Sequence, residues 1–142
     1  MSQIVTRKRL SQLRFLPIGI IVLAVLTAVV HLVLALGTFW VLSHGPAPAG
    51  SSPGGLLTMA TLFLLNFVGY LVLVVALYMP WLQRSQRLIR WLLIGYTVLT
   101  IVLWYFIEAS HADMFDYTDK LIEVGLIALL LIEGWQNRQR TA

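Results

Sequence analysis

The stretch Phe15–Ser43, FLPIGIIVLAVLTAVVHLVLALGTFWVLS, decides the fold, because His31 is its only ionisable side chain. A helix needs about 20 apolar residues, at 1.5 Å rise each, to cross a hydrocarbon core of about 30 Å. This stretch is longer than that. Four basic residues precede it (Arg7, Lys8, Arg9 and Arg14), as they would in a secretory signal. The apolar part of a signal peptide, however, is only about 7–15 residues. Ala47 and Ala49 give only a superficial cleavage site, so the stretch reads as an uncleaved first span.

Working outward, three more apolar stretches follow at Leu56–Leu82, Leu88–Glu108 and Tyr117–Trp135, the last interrupted by Glu123. Backbone polar groups inside lipid must be satisfied within their own segment, so each is expected to be a helix. The expected fold is therefore all-α: one polytopic four-helix transmembrane bundle covering residues 1–142. Composition agrees. Charged residues are 11% of the chain, against about 25% in a soluble domain, and mean hydropathy is +0.86. With no cysteine, thiol nucleophiles, thiolate metal sites, disulfides and covalent haem attachment are excluded together.

Charge placement sets the expected orientation. Nine of the ten Lys and Arg residues fall on one side of this arrangement, in the N-terminal segment, around Arg84, Arg87 and Arg90, and at Arg138 and Arg140. Only Lys120 falls on the other. Loops rich in Lys and Arg stay in the cytoplasm, which places both termini inside a cell membrane. The net charge of +4 then reads as topology and lipid contact, and nucleic-acid binding is not expected. Trp40, Trp81, Trp91, Trp104 and Trp135 all fall near span ends, where amphipathic rings anchor at the interface. The outer linker Gly45–Gly55 (GPAPAGSSPGG) and the inner turn Gln83–Gln86 carry no ligand geometry.

Ionisable residues inside spans are functional candidates, because burying them is costly. His31 lies near mid-membrane on a face with Ala24, Ala28 and Ala35, so it should point into the bundle or at a partner. Its sharp reading is a haem ligand, a quinone contact or a proton relay. A second deep histidine for haem is missing, since His44 ends span one and His111 is in the outer loop. The favoured reading is a neutral imidazole bonded across helices to Asn66, Tyr70, Thr97 or Thr100. Asn66, Gly69, Leu73 and Ala76 form one polar or small stripe, and Thr97, Thr100, Trp104 and Glu108 another, both read as helix-packing faces.

At the start of span four, Lys120 can pair with Asp116 or Glu123 at helical spacing. A salt-bridged anchor is favoured there over a proton or cation entry site. Glu133 is expected to snorkel to the inner headgroups. Glu108, His111, Asp113 and Asp116 read as a solvated acidic loop, with no calcium-loop spacing.

The segments Asn66–Pro80 (NFVGYLVLVVALYMP), Ile89–Tyr105 (IRWLLIGYTVLTIVLWY) and Tyr117–Leu131 (YTDKLIEVGLIALLL), with the histidine of span one, resemble small uncharacterised four-helix integral membrane proteins of green non-sulfur bacteria and haloarchaea. The resemblance implies the same fold and brings no activity with it. It also implies a setting in membranes that hold large photosynthetic and respiratory complexes. The leading expectation is a non-catalytic accessory subunit of such an assembly, with no cofactor or metal of its own. Lipid or quinone would fill its grooves, and its partners would be other membrane subunits. The alternative is a small homo-oligomeric transporter or channel using His31 and Glu123 for protons or cations.

Overall fold

The computed structural model describes residues 2–45, 50–107 and 114–141, with side chains from Phe15 to Gln139 within them. Four helices account for nearly all of it: α1 (Ser2–His44), α2 (Pro53–Tyr78), α3 (Gln86–Ile107) and α4 (Met114–Thr141). A short 3-10 helix, Pro80–Ser85, joins α2 to α3.

Helix ends follow local chemistry. α2 starts three residues before the expected Leu56, because the linker supplies a working start signal. Pro53 lacks only an N–H that a first turn leaves orphaned anyway, and the Ser52 hydroxyl accepts the Gly55 N–H at 3.0 Å. α2 stops at Tyr78 because Met79 precedes Pro80, and a residue before proline is pushed out of the helical region. Met79 is extended, with φ −71° and ψ 128°. α4 runs past the expected Trp135 to Thr141.

The helices form a ring in which α1 packs on α2 and α4, and α3 packs on α2 and α4. Antiparallel neighbours are visible in the close approaches. Gly19 on α1 faces Leu129 on α4, and Leu23 faces Gly125, so one chain ascends as the other descends. Ala24, Ala28 and Ala35 are fully buried, so the small face of α1 is what lets its own neighbours come close.

Polarity is inverted relative to a water-soluble bundle. Leu36, Leu65, Val72, Leu99 and Leu121 are among many large apolar side chains on the outside, while His31, Arg90, Asp119, Glu123 and Glu133 are buried. Contiguous apolar surface on this scale is what a lipid-facing protein shows. Three helical segments, Phe15–His44, Pro53–Tyr78 and Pro80–Ile107, are long and apolar enough to cross a membrane. α4 has the length for a fourth, but Asp116, Asp119, Lys120, Glu123 and Glu133 keep its composition from qualifying alone.

Candidate functional site: a buried carboxylate, lysine and histidine cluster

The charges of α4 gather at one place inside the ring. Asp119 and Glu123 lie one helical turn apart on the same face, and that face is turned inward: Glu123 is 0% exposed and Asp119 4%. Lys120 Nζ reaches both, 2.8 Å from Glu123 Oε2 and 3.0 Å from Asp119 Oδ2. The other Glu123 oxygen, Oε1, accepts from Tyr70 Oη at 3.1 Å and lies 3.2 Å from Thr100 Oγ1. Thr100 has one proton to give, and the Thr97 carbonyl at 2.8 Å competes for it. Tyr70 thus crosses the ring from α2 to α4 and passes 3.0 Å from the Thr100 hydroxyl on α3.

His31 completes the group from α1. Its Nδ1 lies 2.8 Å from the Thr27 carbonyl one turn earlier. A carbonyl only accepts, so Nδ1 carries a proton, and Nε2 has a lone pair whenever the ring is neutral. The ring packs at a tilt against Phe63 and Tyr70, with centroids 6.1 and 5.8 Å away. The bond expected across helices to Asn66, Tyr70, Thr97 or Thr100 is replaced by this bond within α1, because the preceding turn offers an acceptor at no reorganisation.

His31, Asp119 and Glu123 each bring a ligating atom within 4.8 Å of the others. Together they are the residues that could hold a metal ion, but the Lys120 ammonium already stands between the two carboxylates. With both carboxylates ionised and His31 neutral, Lys120 leaves the cluster one negative charge in excess. Beside it is a cavity of about 100 Å³ whose lining is mostly apolar (Leu34, Met59, Leu62, Phe63, Leu103 and Ile107), with His31, Asn66, Thr100, Trp104, Asp116, Asp119 and Lys120 as its polar side. Asp119 Oδ1 and Trp104 Nε1 are buried without a hydrogen-bond partner among the described residues. At about 30 Å³ per water, the cavity has room for roughly three, and it supplies the polar groups that water needs.

The remaining candidates are placed as follows. Asn66 Oδ1 accepts from Tyr96 Oη at 2.8 Å, and Gly69 makes room for that ring: a Cβ there would collide with the Tyr96 hydroxyl. Trp40, Trp81, Trp91 and Trp135 are exposed, whereas Trp104 is half-buried, edge-on to Tyr117, with Lys120 Nζ 5.9 Å from its ring centre. Glu108, His111 and Asp113 lie outside the described residues, as do Ala47 and Ala49.

A second buried group escaped sequence reasoning. Glu133, expected to snorkel outward, is buried instead, because Arg90 turns in from α3 to meet it. Arg90 Nε and Nη2 donate to Glu133 Oε2 at 3.3 and 3.1 Å, and Tyr78 Oη donates to Oε1 at 3.2 Å. Arg90 shares its face with Leu93, Ile94 and Thr97, all buried, and that helical spacing was the available signal.

No known protein family, no curated protein and no solved structure matches the chain.

Proposed function

We propose that the chain is a four-span cell-membrane protein, with both termini cytoplasmic, that takes up and releases a proton or small cation at the buried cluster. The observation carrying this reading is that two buried carboxylates share one lysine beside a small cavity, with one carboxylate oxygen unpartnered among the described residues. A purely structural network tends to satisfy every buried polar atom, because each one left over is costly. With both carboxylates ionised, the cluster would hold excess negative charge in a low-dielectric interior, which a proton or cation would relieve, and the cavity gives a mobile one a place to stand. Nothing in the cluster needs to make or break a covalent bond, so the proposed role is not enzymatic.

α4 is the fourth span in this reading. Its buried face carries Asp119, Glu123 and Glu133, while Leu121, Val124, Leu131 and Ile132 face outward. Its charges are thus turned into the ring and away from lipid, which is how ionisable residues are accommodated within a membrane. Four helices enclose no wide pathway, so flux through the protein would require a homo-oligomer.

The accessory-subunit reading has one observation in its favour. Gly95 sits on the exposed face of α3 with open space around it, a notch in a bulky apolar surface where a partner helix could approach closely.

Proteoliposomes separate the two. Wild-type protein should dissipate an imposed pH or sodium gradient, and Glu123→Gln should fall to the leak of protein-free vesicles. Glutamine keeps an acceptor for Tyr70 and Thr100 while removing the exchangeable charge. Equal flux through wild type and Glu123→Gln would overturn the transport reading.

A further inference from the structure

We infer that the cleft at the opposite end of the bundle from the cluster binds the phosphate headgroup of an anionic phospholipid. The cleft, of about 440 Å³, lies between the 3-10 helix, α3 and α4, with Arg84, Arg87 and Arg90 in its lining. Its α4 lining runs from Leu130 to Arg138, centred near Gly134, about 16 Å along α4 from Glu123 at 1.5 Å per residue. Arg90 is held by Glu133. Arg84 and Arg87 are exposed, and no acidic side chain among the described residues pairs with either. Two guanidinium forks facing one concavity suit a phosphate, whose oxygens accept in the bidentate geometry that arginine presents.

The rest of the lining distinguishes a lipid from a free anion. Trp91 and Trp135 flank the cleft with exposed rings, as interfacial anchors do, and Leu131 continues it as apolar surface. A headgroup at the arginines would therefore leave an acyl chain lying on the lipid-facing side of α4. Free phosphate makes no use of that wall. This inference rests on the membrane placement of α3 and α4, and it is independent of any chemistry at the cluster.

The test is native mass spectrometry of the full-length chain in a non-ionic detergent, titrated with phosphatidylglycerol, phosphatidylcholine or inorganic phosphate. One phosphatidylglycerol per chain should be retained in preference to phosphatidylcholine. Basic residues near a surface contribute on the order of fivefold each to binding anionic lipid, so Arg84→Gln with Arg87→Gln should weaken it about 25-fold. Gly134→Leu should also weaken it without removing any guanidinium. A Cβ at Gly134 already lies 3.3 Å from Arg90 Cδ, so the larger side chain crowds Arg90 and the cleft it lines.

Binding within twofold of wild type in the double arginine variant, or equal retention of the two lipids, would overturn the inference. So would displacement of phosphatidylglycerol by equimolar inorganic phosphate, which would make the site one for the free anion. Undiminished binding by a folded Gly134→Leu would place the lipid elsewhere on the basic surface. The double arginine variant changes exposed positions only, and it carries the test if Gly134→Leu does not fold. A chain that fails to sediment with membranes would remove the membrane placement itself, a result distinct from a membrane-embedded chain that ignores the lipid.

Discussion

At the scale of single residues, the two buried ionic groups differ in composition: one is a single carboxylate with an arginine, the other two carboxylates with one lysine. Arg90 and Glu133 balance one to one, with Tyr78 filling the second carboxylate oxygen. Such a pair can be replaced by apolar residues of similar size at little cost, whereas losing one partner strands a buried charge. Arg90→Met should therefore destabilise the protein by about 3–5 kcal/mol, and Arg90→Met with Glu133→Leu should recover most of that loss. Unfolding titrations in mild detergent read both numbers. A double variant as unstable as the single one would show that the pair does more than compensate itself. Asp119, Glu123 and Lys120 balance only when one carboxyl is protonated, and Asp119 Oδ1 has no partner among the described residues. Sequence reasoning found His31 and Glu123 separately, since each interrupts an apolar run. Their meeting depends on ring order and side-chain reach, which a linear pattern does not carry. Asp119 was missed as the partner of Lys120 because adjacent helical residues point apart. The long lysine stem bends back far enough to touch both carboxylates.

At the scale of elements, three helices were legible because each presents an uninterrupted apolar run, and their cores match expectation closely. The ends were less legible, since Ser52, Pro53 and the Met79–Pro80 step act through local backbone chemistry rather than hydropathy. α4 is the instructive element. Its composition alone does not mark it as a span, yet its outer face is apolar and its inner face charged, a sorting visible only once the neighbouring helices are in place. If it crosses the membrane, Ser51 and Gln139 lie on opposite sides, and Ser85 lies with Gln139. The absence of native cysteine makes this directly measurable. In intact cells a membrane-impermeant maleimide should label Ser51→Cys, and should reach Ser85→Cys and Gln139→Cys only after permeabilisation. Labelling of Gln139→Cys from outside would contradict a crossing α4.

At the scale of the whole molecule, large apolar side chains cover the outside, two ionic groups are buried within an apolar core, a small cavity lies in one half and a basic cleft in the other. In the proposed orientation the aromatic and arginine residues around the cleft would meet a headgroup surface, while the cluster lies inside the ring. The central claim is that this cluster exchanges a proton or cation rather than merely bracing the helices. pH-difference infrared spectroscopy of the reconstituted protein tests it most directly, because a carboxyl group absorbs differently when protonated. The account predicts a protonated-carboxyl band that changes with pH, and that is altered or lost in Glu123→Gln and Asp119→Asn. A spectrum with no titrating carboxyl assignable to either residue, together with no sodium-dependent carboxylate shift, would contradict it.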